Sequence, residues 1–213
     1  MKTHRIAGLY LAAGLSTRMG TSKFLLRVND EPLGVIALKK VLKCSLDQIF
    51  VVISEFQQKE EVELALTKRE RDKISFVFNK NPNLGQSQSL KCGLKRAIED
   101  DIDGVMIVLA DQPMLTKQMI DLLINKYTSV LQNGQSVDYI ISECQNIIQP
   151  PILCLKSTFE QLLLLSGDQG AKKLIEQTDD HKVAKLKYDQ EELFFDIDTK
   201  EQFEWFINRS GKK

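Results

Sequence analysis

The 213-residue chain balances 29 basic against 29 acidic residues at 43% hydrophobic content, the make-up of a globular fold with one sizeable core. Neutrality without any basic block removes the electrostatic drive toward nucleic acid or an anionic membrane, so any phosphate it binds is met at a local site. Cys44, Cys92, Cys144 and Cys154 form no metal-ligand spacing and read as reduced thiols, and with no leader-like N-terminus or run approaching ~18 apolar residues the expectation is one domain, 1–213, in the cytoplasm.

Ile6 to Leu11 is a continuous apolar run, suited to a central strand buried on both faces. The loop after it, Ala12 to Lys23, combines small residues at Ala12, Ala13, Gly14 and Gly20 with the hydroxyls of Ser16 and Thr17 and the cations Arg18 and Lys23. Small residues and glycines let backbone N–H groups approach phosphate oxygens; Arg18 adds a planar fork and Lys23 a compact charge. Neither GxxxxGK[ST] nor GxGxxG is present, so by spacing alone the segment reads equally as a phosphate cradle or as a turn with two solvated cations.

Phe24 to Val28 is short and apolar, and Asn29 to Pro32 is a turn. Val35, Ile36, Leu38, Val41 and Leu42 recur at helical spacing over Gly34 to Lys43. Ile49 to Ile53 is a buried strand, Gln57 to Asp72 a charged surface helix, and Ile74 to Phe78 another strand. Alternation of this kind predicts a mainly parallel sheet with helices on both faces. Asn79 to Leu90 breaks the pattern with Asn, Pro and Gly before a helix that is apolar at Leu90, Leu94, Ala97 and Ile98. Ser87 and Ser89 stand where a helix cap would, and a helix N-terminus there would also favour an anion.

Gly104 to Leu109 is the most apolar strand, and it delivers Asp111 at its carboxyl end, where open α/β sheets collect ligands. An acidic residue after a strand also serves as a helix cap. Thr116 stands closer to the next helix, 116–131, and can take that role, leaving Asp111 free for chemistry. Asp138 to Ser142, Ile152 to Leu155 and Lys182 to Tyr188 read as strands, and Phe159 to Leu165 as an apolar helix. Asp168 is a candidate cap and Lys172 either a surface charge or a phosphate contact. Asp196 and Asp198 alternate with Phe195 and Ile197, which would put both carboxylates on one face of a short strand, with Asp198 or Thr199 the alternative as a cap for a last helix carrying Phe203, Trp205 and Phe206. His4 and His181 sit in no ligand cluster.

LAAGLSTRMGTSK, from Leu11, resembles the LAAGxSxRMGxxK signature of the MobA/MocA-like nucleotidyltransferases, which bind a nucleoside triphosphate in this loop. The resemblance implies nucleotide contacts at Leu11, Ala12, Ala13, Gly14, Ser16, Arg18 and Lys23. NPNLGQSQSL is similar to the family's G-x-S-x-S-[IL] segment beside base and sugar, which adds Gly85, Ser87 and Ser89. ADQP resembles the motif whose aspartate, here Asp111, holds Mg²⁺ against the triphosphate. GDQGAK resembles GDxGAR, and DIDT resembles the closing motif, with Asp198, or in its place Asp196, as a second metal contact. All five occur in family order, and the fold implied is a three-layer α/β/α nucleotidyltransferase fold with a Rossmann-like, mainly parallel sheet.

Within that family the chain looks most like the molybdenum cofactor cytidylyltransferases, including accessory proteins of xanthine dehydrogenase. Ala13, where GTP-using relatives carry Gly, and ADQP rather than GDMP both point to CTP. What the resemblance implies is transfer of a cytidylyl group from CTP to Mo-molybdopterin with release of pyrophosphate, with Arg18, Lys23 and Asp111 as the catalytic set and a molybdenum hydroxylase such as xanthine dehydrogenase as a client. The sequence departs from the family between Cys144 and Pro151, where Pro150 replaces the polar residue of an Asn-Pro or His-Pro pair. That segment lies on the acceptor side in relatives, so a sugar- or polyol-phosphate nucleotidyltransferase stays open, as does a molybdopterin carrier without transferase activity.

Overall fold

The computed structural model describes residues 4–14 and 22–210. The chain begins with β1 (Ile6–Leu11), the short hairpin β2 (Arg27–Val28) and β3 (Glu31–Pro32), α1 (Leu33–Val41), β4 (Gln48–Ile53), α2 (Phe56–Ala65), α3 (Lys68–Arg71) and β5 (Ile74–Phe78). It continues through α4 (Gln86–Glu99), β6 (Gly104–Leu109), α5 (Lys117–Gln132), β7 (Tyr139–Cys144), β8 (Ile147–Leu155), α6 (Phe159–Leu164), α7 (Ala171–Ile175), β9 (Val183–Tyr188) and α8 (Lys200–Ser210).

Seven strands form one sheet in the order β5-β4-β1-β6-β8-β7-β9, while β2 and β3 pair separately. Every pairing in the large sheet is parallel except those of β8, which runs antiparallel to both β6 and β7. The strands alternate faces as their sequences require. Tyr10, Val51, Ile53, Met106 and Val108 pack in one core layer with residues of α1 and α5, whereas Leu9, Leu11, Phe50, Val52 and Ile107 pack in the other with α4 and α6. Burial on both sides is why these strands read as unbroken apolar runs. A third cluster joins Val28 and Leu33 to Ile197 and Phe206, docking the C-terminal segment on the hairpin.

From β1 the chain crosses to β4 and β5 on one side, then returns to β6 on the other. The switch point is therefore at β1, and the loops following β1 and β6 open side by side at the carboxyl ends of paired strands.

Four expectations are corrected. The helix predicted over 57–72 is two, broken at Leu66 where Thr67 opens a new cap: Thr67 Oγ1 accepts from the Glu70 amide, and Glu70 Oε2 accepts from the Thr67 amide at 2.9 Å. The strand predicted over 152–155 begins at Ile147. Its register against β7 slips between Ile141/Ile152 and Ser142/Gln149, so Pro150 and Pro151 are the surplus residues of a bulge, and the pairing of β8 with β6 ends at Ile152. Prolines are tolerated there because no ladder amide is required of them. The DIDT segment is not a strand: an irregular stretch follows the 3₁₀ turn Glu191–Phe194, and Ile197 is fully buried. Asp168 does not cap α7, whose cap position is Gly170.

Candidate active site

A cavity of about 520 Å³ lies at the carboxyl ends of β1 and β6, within the size range of small-molecule sites. One wall is the start of the glycine-bearing loop, Leu11 to Gly14; its floor carries Leu109, Ala110 and Asp111. The far wall is built from Asn83, Gly85, Gln86, Ser89 and Asp168, and Lys23, Phe24, Leu33 and Asp198 complete the ring. Of the candidate residues, the fold thus brings together Leu11, Ala12, Ala13, Gly14, Lys23, Gly85, Ser89, Asp111 and Asp198. Ser16 and Arg18 lie outside the described residues.

Ser87 is not on this wall. It is buried, and its backbone amide donates to the Gly167 carbonyl at 3.0 Å. The helix explains the split: residues two apart on α4 are turned by about 200°, so Ser87 and Ser89 cannot face one cavity together. Ser89 Oγ instead accepts from Asn79 Nδ2 at 3.1 Å. Lys172 pairs with Glu176 at 3.8 Å on α7 and is not on the cavity wall.

Gly85 is required where it stands. Its φ is +88°, and a Cβ there would come within 2.4 Å of the Gly167 carbonyl carbon and oxygen and 2.7 Å of Asp168 Oδ1. This close approach joins two segments far apart in sequence into one wall. Gly34 plays the equivalent part on the opposite side, since a Cβ would lie 1.9 Å from the Phe24 ring that lines the cavity.

The charged centre is Lys23. Its Nζ lies 2.5 Å from Asp198 Oδ1 and 3.4 Å from Asp111 Oδ2. Burial raises the Asp111 carboxyl above its usual range, opposed by Lys23 and reinforced by the charge of Asp198. Asp196 stands just behind. Burial first, and then the charge of Asp111, push it up to about 7 against the opposing influence of Gln112, and Oδ1 is buried with no partner among the described residues. Neither site aspartate is a helix cap: Thr116 Oγ1 accepts from the Met119 amide at 3.3 Å, and Thr199 Oγ1 accepts from the Gln202 amide at 3.3 Å. Asp111 is held from the backbone, its carbonyl accepting from the Ile197 amide at 3.0 Å, while Lys40 Nζ donates to the neighbouring Pro113 carbonyl at 2.6 Å.

Asp111 and Asp198 offer two carboxylates converging on a single cation, the Lys23 ammonium. Among the described residues no group of three or more His, Cys, Asp or Glu side chains is arranged to hold a metal. Two carboxylates suffice for Mg²⁺, which takes oxygen ligands, keeps several waters and draws the rest of its shell from phosphate. The donor set fits that ion.

Sequence reasoning passed over Asn83, Gln86 and Asp168 of the far wall, and other contributors besides. Phe24 and Leu33 give the cavity its apolar side, and Gln58, fully buried on α2, donates from Nε2 to the Ala12 carbonyl at 2.9 Å. The only local sign of Gln58 is its place three residues after Glu55 at a helix start. No helix among the described residues is long and apolar enough to cross a membrane.

The chain is 27% identical over 210 residues to the purine catabolism protein PucB of Bacillus subtilis, covering 96% of this chain and 97% of that protein. Over 128 residues it is 34% identical to a probable UDP-N-acetylglucosamine pyrophosphorylase of Acanthamoeba polyphaga mimivirus, across 59% of this chain and 49% of that one. Among solved structures, the homologue of Mycobacterium tuberculosis Rv0371c from Mycobacterium sp. strain JC1 superposes with a TM-score of 0.75 at 27% identity, covering 98% of both chains. The MobA-like NTP transferase domain matches residues 8–183, and the chain is a nucleotidyltransferase belonging to that family.

Proposed function

We propose that this protein transfers a cytidylyl group from CTP to Mo-molybdopterin, forming molybdopterin cytosine dinucleotide and pyrophosphate. What carries the reading is Lys23 set between Asp111 and Asp198 in the cavity that the Ala12–Gly14 backbone enters. An acceptor phosphate oxygen bonds to the α-phosphorus of CTP, the bond from that phosphorus to the bridging oxygen of the β-phosphate breaks, and pyrophosphate leaves with the electron pair.

Lys23 exchanges carboxylate partners for phosphate oxygens when nucleotide enters and offsets the charge that builds on pyrophosphate; Arg18 has the same task from the loop. Asp111 and Asp198 are the residues that would hold Mg²⁺. When bound, that ion supplies charge neutralisation across the phosphates and fixes the in-line arrangement. The chain needs no nucleophile or general base of its own, because an acceptor phosphate is already ionised near neutral pH. Ala13 in the LAAG wording favours CTP over GTP, and a relative named for purine catabolism agrees with a client of the xanthine dehydrogenase type, since xanthine is a purine. A cytoplasmic location fits such a client.

A second reading is transfer to a sugar or polyol phosphate. The 34% identity to a probable UDP-N-acetylglucosamine pyrophosphorylase and the proline pair on β8 favour it. Pyrophosphate release with Mg²⁺ and Mo-molybdopterin, offering CTP, GTP and ATP separately against an Asp111→Ala blank, separates the readings. Release with CTP alone, lost in the variant, is the expected result. Binding of CTP without release moves the acceptor to sugar phosphates, and failure to bind any nucleotide leaves the carrier reading.

A further inference from the structure

The protein contains two helix starts of the same capping design, with Thr67 and Glu70 at α3 and Glu55 and Gln58 at α2. At α3 a half-buried glutamate, Glu70, accepts from the Thr67 amide at 2.9 Å. At α2 the corresponding position is Gln58, whose Oε1 accepts from the Ser54 and Glu55 amides at 2.9 and 3.1 Å. Capping requires only an acceptor, which glutamate and glutamine supply equally. Glutamine brings an amide donor as well, and at α2 that donor is used: Nε2 meets the Ala12 carbonyl at 2.9 Å, across 46 positions of sequence. Gln58 is 1% exposed, and in such a place an unmet donor or acceptor costs about 1–3 kcal/mol, so both ends of the amide are held by their partners.

Ala12 is the first residue after β1 and lies on the cavity wall. Its amide donates to the Val52 carbonyl at 2.8 Å, so with Gln58 on its carbonyl both of its backbone polar groups are fixed to β4 and α2. The backbone of Ala13 and Gly14 therefore enters the cavity from a clamped origin.

We propose that Gln58 is a positioning residue for the nucleotide: through the Ala12 carbonyl it sets the direction of the backbone that receives the triphosphate. This rests on the nucleotide-binding reading of the cavity. Gln58→Glu isolates the donor. It keeps an acceptor for the Ser54 and Glu55 amides but turns a carboxylate oxygen toward the Ala12 carbonyl. Steady-state kinetics and direct titration with Mg²⁺-CTP at pH 8 should show KM and Kd for nucleotide raised about tenfold, with kcat changed far less and the melting temperature lowered by roughly 2–12 °C, the consequence of the unmet Ala12 carbonyl. Lowering the pH toward 5.5 protonates the introduced glutamate, restores an O–H donor and brings KM back toward wild type, a recovery that a merely structural defect would not give. Gln58→Met, neutral and similar in size, should raise KM at every pH and serves if Gln58→Glu does not fold. Thr67→Ala removes the other cap and calibrates the effect of lost helix stability alone; it should leave KM unchanged. Wild-type nucleotide affinity in a folded Gln58→Glu or Gln58→Met, or an equal rise in KM in Thr67→Ala, would overturn the assignment. Should the wild-type protein itself bind no nucleotide, the reading of the cavity falls and this role with it.

Discussion

The sheet divides into two unlike regions. From β5 to β6 it is four parallel strands, with the cavity on the carboxyl ends of β1 and β6. From β8 to β9 it contains the antiparallel strand, a bulge at two prolines, and an outer strand whose Lys185 and Lys187 alternate with less exposed residues. The first region supplies ligand groups directly from strand ends, as Leu11 and Asp111 show. The second reaches the same cavity only through loops, which place Asp168 and Asp198 there. One wall of the cavity is therefore carried by a framework buried on both faces, whereas Asp168 and Asp198 are carried by connecting segments outside the sheet.

The largest effect that would test this division is on the donor side. Asp111→Ala and Lys23→Ala should each lower turnover by roughly 100- to 1,000-fold, the usual cost of one electrostatic contact to a transition state, while circular dichroism and melting temperature remain near wild type. Activity surviving in Asp111→Ala would break the comparison at its base. On the acceptor side, Pro150→Ala alters the surplus residues of β8, which run past the end of its pairing with β6. It should change KM for the acceptor several-fold and leave Kd for nucleotide unchanged; a matching change in nucleotide affinity would show that the two regions are not separable. At the seam between them, Gly85→Ala forces a side chain into a left-handed backbone conformation against Gly167, costing about 2 kcal/mol or more and lowering the melting temperature by roughly 4–8 °C, with weaker nucleotide binding.

The smallest effect should be indifferent to the division. Burial pushes the Cys44 thiol up to about 12, with Asp121 adding to the shift and Lys117 opposing it, and burial raises Cys154 in β8 as well. A thiol held protonated by the fold contributes stability below its ordinary pKa near 9, and that contribution is lost as the pH rises from there toward about 12. Melting curves from pH 8 to 10 should fall more gently for Cys44→Ser than for wild type.

The same division decided what could be read from the chain. β1, β4 and β6 were legible because strands buried on both faces leave apolar runs, and the edge strand β5 because four of its five residues are apolar; the ends of all four fell within one residue of expectation. β8 was half hidden, since Pro150 and Pro151 read as loop until the bulge gives them a place in the strand. The alternation of Asp196 and Asp198 suggested a strand, but Ile197 docks in the core with Val28 and Leu33, and that long-range packing overrides the local pattern. In the site, Lys23, Asp111 and Asp198 were indicated by motifs that the fold gathers around one ammonium. Ser87 misled because a spacing of two, natural in a loop, turns the side chain away once it lies on a helix. Gln58, Phe24 and Leu33 were invisible for a plainer reason: their meaning lies in partners distant in sequence.

The pair Lys23 and Asp198 lies 175 positions apart. At about 5–20 residues per second, roughly 10–35 s of synthesis separate the appearance of the ammonium from that of its carboxylate. Through that interval a nascent chain can have made β1, β4 and β6 yet hold no finished charge centre. A product stopped before Asp198 would lack one of the two carboxylates that face Lys23, so the charge centre is complete only once translation has passed that residue.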